Sequence, residues 1–195
     1  MIDNLINLVQ QFSGDAVTNN PDIPKDKNNA VIQSVTDGIF KGLQNQASEG
    51  GLNQILGLFS SSGDNSGIIG SLSKSIQTTV VSSLMDKVGI KNDIAKGIAV
   101  QLVPSVLGAL SKNAADPKNS GFNVNTILSS ITGGKTKGID VQNLLDKFAG
   151  GDDGKFDLGD VMNLLGKGKS NSSEGNSDGG GGLLGALGGL LGGKK

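Results

Sequence analysis

The sequence predicts an all-α protein: a helical bundle, three short stapled helices in a 17-residue repeat, and a flexible Gly/Leu-rich C-terminal tail. Three observations carry that expectation. Apolar residues recur at i, i+3, i+4 and i+7 spacing in segment after segment. The stretch Ile94–Leu110 is apolar around most of a helical circumference, the mark of a central helix with others packed about it. Residues 122–166 repeat a single helix-start pattern three times.

Taken in order, Ile2, Leu5, Ile6, Val9 and Phe12 mark a short amphipathic helix that Gly14 can stop. Residues 15–29, with two Pro and several Asn and Asp, read as an exposed loop. A second helix is expected to start after Asn28 or Asn29 as N-cap and to run to Ser48, with Ile32, Val35, Ile39 and Leu43 as its stripe. Gly38 and Gly42 interrupt it mildly, and Gly50-Gly51 ends it. Leu52–Phe59 is a short apolar helix, and SSSGDNSG at 60–67 a flexible connector. The fourth helix covers about Ile68–Val88, entered from Ser66, burying Leu72, Ile76, Thr79/Val80 and Leu84. Lys87 complements its C-terminal dipole, and Gly89 is its stop. Asn92 or Asp93 is expected to cap the central helix, and Pro104 to kink it around Val100–Pro104 without breaking it.

The run SSLMDKVGIKNDIAKGIAVQLVPSVLGALSKN at 82–113, followed by DPKNSGF, resembles the YidB-like group of uncharacterised bacterial proteins. The shared features are the turn Lys87-Val88-Gly89-Ile90, the Gln101-Leu102-Val103-Pro104 helix segment and the Leu107-Gly108-Ala109-Leu110 ending. The resemblance is specific over 82–122 and loose over 1–166. It implies an all-helical fold and carries no catalytic residue onto this chain.

In the repeat, FNVNTILSSI at 122, IDVQNLLDKF at 139 and FDLGDVMNLL at 156 align without gaps at a period of 17. Asn123, Asp140 and Asp157 are expected N-caps. Phe122, Ile139 and Phe156 pair with Ile127, Leu144 and Val161 as hydrophobic staples, and Gly133, Gly150 and Gly166 close the units. Helices this short must dock an apolar face to persist. The chain thus divides into a bundle core at 1–121, the three repeats packed on it at 122–166, and a low-complexity linker and tail at 167–195.

Composition excludes much chemistry. With no Cys and no His, the thiolate nucleophile, the usual neutral-pH base and the commonest transition-metal ligands are missing. All 17 basic residues are Lys, and a net charge of −1 offers nucleic acid no basic footprint. These absences point away from an enzyme, and no cofactor is expected. The N-terminus lacks the regions of a secretory signal, and no run reaches about 18 uninterrupted apolar residues, so a cytoplasmic protein without a membrane span is expected.

Three motifs imitate functional sites. GGDDGKFDLGDVMNLL at 150–165 matches the second half of an EF-hand or dockerin-type loop, with Asp153, Asp157 and Asp160 at positions five, nine and twelve. Positions one and three fall on Ala149 and Gly151, which have no side-chain ligand, so capping is the preferred reading over calcium. TGGKTKG at 132–138 imitates a phosphate loop, but its first Gly position is Ser129 and it follows a helix. Ser177 in GNSDG has nucleophile-elbow spacing in a chain without His.

In the tail, Leu183, Leu184, Leu187, Leu190 and Leu191 would share one helical face. Gly181, Gly185, Gly189 and Gly193 recur every fourth residue on a second face. The function expected is therefore a non-enzymatic interaction or self-assembly protein, its partner itself or another protein met through apolar helix faces. The alternative is a peripheral membrane-surface protein, or a weak calcium-binding module.

Overall fold

A computed structural model describes residues 2–59, 65–115 and 122–136, and their fold is all-α. The helices are α1 (Ile2–Phe12), α2 (Asn28–Ser48), α3 (Leu52–Phe59), α4 (Ser66–Val88), α5 (Asn92–Ala115) and α6 (Val124–Ile131). Helix α4 runs between α2 and α5 and packs on both; α1 lies across α2 and α5, α3 touches α2, α4 and α5, and α6 docks on α2.

The tightest packing is between α2 and α4. A Cβ placed on Gly38 would stand 2.8 Å from Val80 Cα, and one on Gly42 would stand 2.9 Å from Ile76 Cγ1. Gly38 and Gly42 are four residues apart, one above the other on a single helix face. They are the contact surface of α2, and the expectation that they merely weaken its stripe is corrected. Val35, Ile39 and Leu43 flank them and are fully buried, as are Leu72, Ile76, Val80 and Leu84 of α4.

Helix α4 ends as its sequence predicts. Gly89 takes a left-handed φ of 72°, its N–H bonds Met85 O at 3.1 Å, and the Ile90 N–H reaches Leu84 O at 3.3 Å. Two lysines serve that end. Lys27 Nζ donates to Val88 O at 3.1 Å, placing a cation at the negative end of the helix dipole. Lys87 pairs with Asp37 of α2 at 2.8 Å; both side chains are half exposed, which limits the pair to at most about 1 kcal/mol.

Several local expectations are corrected. Residues 15–29 are not an exposed loop throughout: Gly14–Thr18 form a π-helical turn, and Ala16, Val17 and Ile23 are buried. Lys27 occupies the N-cap of α2, so Asn28 lies inside the helix. At the start of α5 the first intrahelical bond runs from Ala95 N to Lys91 O (2.9 Å), and Asn92 donates its side-chain amide to Met85 Sδ (3.3 Å) instead of capping. In agreement with the sequence, α5 continues unbroken through Pro104. The carbonyl that Pro104 leaves unpaired is that of Val100, an exposed residue, where water can satisfy it.

Helix α5 is also less enclosed than its sequence suggests. Ala95, Ile98, Ala99, Leu102, Val103, Val106, Leu107 and Leu110 are buried, whereas Lys96, Gly97, Val100, Gln101 and Ser105 are exposed. Residues 92–114 are long and apolar enough to cross a membrane by length and composition, which the count of uninterrupted apolar residues missed; here half of their most apolar 18-residue stretch is buried in the bundle. Near its C-terminus Ser111 Oγ donates to Leu58 O at 2.5 Å, and Asn65 Nδ2 donates to the same carbonyl at 3.2 Å. One of the last carbonyls of α3 is satisfied in this way.

The Gly38 contact makes a direct prediction. Gly38→Ala gains about 1 kcal/mol of helix propensity but drives a methyl into Val80 backbone, and overpacking costs about 1–3 kcal/mol. Chemical denaturation should show a net loss of up to about 2 kcal/mol. A Cβ on Gly97 meets nothing within 4 Å, so Gly97→Ala should instead stabilise the chain by about 0.5–1 kcal/mol.

Candidate functional site

The short link after α4 brings α5 back along it, and the two leave an open groove between their outer faces. Its volume is about 520 Å3. Residues at helical spacing line it from both sides: Lys74, Thr78, Val81 and Met85 from α4, Asn92, Lys96 and Val100 from α5. Met85 is 40% exposed and Val100 59% exposed. The other exposed large apolar side chains among the described residues, Ile2 and Phe12, sit at opposite ends of α1. Met85 is steadied by the Asn92 amide on its sulfur. The groove offers apolar surface, amides, hydroxyls and two ammonium groups, and no carboxylate lines it. That set suits an apolar segment carrying negative charge; it does not supply an acid–base pair.

A second concavity of about 360 Å3 lies between the π-helical turn and α5, with Asp15, Asp22 and Asp93 around Asn20 and Gln101. Two of its polar side chains are engaged locally: Asn19 Nδ2 donates to Asp15 Oδ1 (3.2 Å) and Asp22 N to Asn20 Oδ1 (3.0 Å). Among the described residues no group of three or more acidic side chains is disposed to hold a metal ion.

The first repeat unit follows its sequence closely. Asn123 has extended backbone (ψ 124°), and its side-chain oxygen accepts from Asn125 N at 2.9 Å. Ile127, Leu128 and Ile131 are buried, and Phe122 packs partly buried against the same core. Gly133 and Gly134, at φ 63° and 85°, end the helix. In the phosphate-loop imitation, the Thr136 hydroxyl is buried and bonds Thr132 Oγ1 at 3.0 Å, while Thr132 Oγ1 also bonds Leu128 O at 2.7 Å. A hydroxyl committed in this way is not presented to a phosphate or its metal.

The remaining candidates lie outside the described residues. These are the second and third repeat units, the loop with Asp153, Asp157 and Asp160, Ser177, and the tail leucines Leu183, Leu184, Leu187, Leu190 and Leu191. The groove residues Met85 and Val100 escaped the sequence reading. Their signal was present, since each is a large apolar residue one step off a stripe that is already complete. Compared with known proteins, the chain matches no family model, no curated protein and no solved structure. The YidB-like resemblance rests on its quoted residues alone.

One expected outcome follows from the Asn123 cap and another from the side chains of the 149–160 loop. Asn123→Ala removes the bond to Asn125 N and should cost about 1 kcal/mol in a denaturant melt. Millimolar calcium should leave the melting temperature of the full chain unchanged, because a site that bound it would raise stability by mass action. A rise that disappears in Asp153→Ala and Asp160→Ala would establish the calcium site instead.

Proposed function

We propose that this chain is a non-enzymatic self-assembly protein that associates through its Gly/Leu tail. The observation that carries this reading is the α2–α4 contact. There Gly38 and Gly42, four residues apart and flanked by apolar side chains, bring two helices together closely enough that a Cβ would clash. Gly181, Gly185, Gly189 and Gly193 repeat the same spacing, beside Leu183, Leu184, Leu187, Leu190 and Leu191. A tail helix of this pattern would pair closely with a second copy of itself.

A second reading, peripheral attachment to a membrane surface, is favoured by one specific feature. Lys194 and Lys195 follow directly on the Leu/Gly segment, where they would meet lipid headgroups if its leucines entered the bilayer. Both readings suit a cytoplasmic protein with no cofactor.

Deleting 179–195 tests them together. The truncated chain should melt within a degree or so of the full chain, since 1 kcal/mol corresponds to about 2–8 °C for domains of this size. Light scattering across a concentration series should show mass growth in the full chain and none in the truncated one. Binding to anionic vesicles without mass growth would favour the membrane reading. A full chain that neither grows nor binds vesicles, or a truncated chain that melts far earlier, would sink the tail hypothesis.

A further inference from the structure

The α4–α5 groove has no occupant among the described residues, and three observations point to one. The first is size. From Lys74 to Met85 the α4 wall rises through eleven residue steps, about 16 Å, and from Asn92 to Val100 the α5 wall is about 12 Å. An eight-residue helix, the length of α6, is also about 12 Å.

The second is the face that α6 uses. The residues it buries are Ile127, Leu128 and Ile131. At the repeat period these positions become Leu144, Leu145 and Phe148, then Val161, Met162 and Leu165. Each later unit therefore carries the apolar trio with which the first one docks.

The third is charge. Lys74 and Lys96 line the groove, and no carboxylate does. The third unit follows and contains Asp152, Asp153, Asp157 and Asp160 against a single Lys155, the densest run of carboxylates in the chain. The second unit, with Asp140, Asp146 and Lys147, is much less acidic. A second copy of the groove face would set lysine against lysine, and the tail adds Lys194 and Lys195, so neither complements it.

We propose that the α4–α5 groove is the docking site of the chain's own third repeat unit, Phe156–Leu165. Val161, Met162 and Leu165 cover Val81, Met85 and Val100, and the unit's aspartates face Lys74 and Lys96. Reach is sufficient. The twenty residues from Thr136 to Phe156 span about 25 Å even as a flexible coil, and up to about 70 Å extended. A domain of this size is about 35 Å across. Tethering sets the local concentration near millimolar, which favours the chain's own unit over one from a neighbour.

The chain has no Cys, so engineered pairs test this cleanly. In the full chain, Met85→Cys with Met162→Cys should form an intrachain disulfide on mild oxidation. Its rate should exceed by about tenfold those of Met85→Cys with Leu145→Cys, the equivalent position of the second unit, and with Ser177→Cys, because docking raises the effective concentration above that of a free tether. Lys74→Glu with Lys96→Glu should bring the fast rate down to the control rates while leaving the melting temperature unchanged, since both lysines are exposed. Removing 179–195 should leave the fast rate intact, so this result is independent of the tail hypothesis. Equal rates for the three pairs, a faster Leu145→Cys pair, or disulfides mainly between chains would each overturn the proposal, the last in favour of a second copy.

Discussion

At Gly38 and Gly42 the backbone of α2 lies so close to α4 that no side chain fits between them, and the rest of the bundle depends on that approach. A helix pair with ordinary side chains at the contact stands about 8–10 Å apart. Glycine removes the spacer, so Ile76 and Val80 of α4 rest on the α2 backbone itself. Their flanking neighbours Val35, Ile39 and Leu43 then close over the seam. Each Gly costs about 1 kcal/mol of helix propensity, a loss offset by the burial of branched side chains worth about 1.5–3 kcal/mol apiece.

With α4 fixed against α2, Gly89 decides how α5 arrives. A left-handed residue ends α4 abruptly, and Asn92 already begins the next helix. So short a link forces α5 back along α4. The buried stripe of α5 then faces inward, which turns Lys96, Val100 and Gln101 outward. The groove is thus a consequence of two commitments: α4 uses Leu72, Ile76, Val80 and Leu84 on α2, and α5 uses its own stripe on the core. Val81, Met85 and Val100 are what neither commitment consumed.

Which parts of this were legible in the sequence follows the range of the interactions. The Asn123 cap, the Gly89 and Gly133 stops and the stripes of α2 and α4 are set by residues within one or two turns, and the sequence showed them. Lys27 was invisible in its role because its partner, the Val88 carbonyl, is 61 residues away. Burial of Ala16, Val17 and Ile23 was hidden for a similar reason: a Pro- and Asn-rich segment looks solvated until the helices that cover it are known. Gly38 and Gly42 were read by local propensity, which registers only their cost. Their benefit lies across the seam, on α4. The same limit applied to α5, where periodicity gave the apolar residues but not which side would stay open.

The glycine seam also explains why one spacing would act differently at the two ends of the chain. In α2 the partner helix belongs to the same chain, so the close contact forms whenever the chain folds. In the tail, a helix over 183–191 contains Gly185, Gly188 and Gly189, a cost of about 3 kcal/mol before nucleation is counted. Its five leucines are worth about 1.5–3 kcal/mol each, but only once something covers them. The sign of the balance is then set by the availability of a second surface, and rises with protein or lipid concentration. A sequence with alanine at those glycines would be a better helix alone and a poorer partner, because its Cβ atoms would hold a neighbouring backbone away. Leucine on one face and glycine on the next would thus favour association over solitary folding in such a helix.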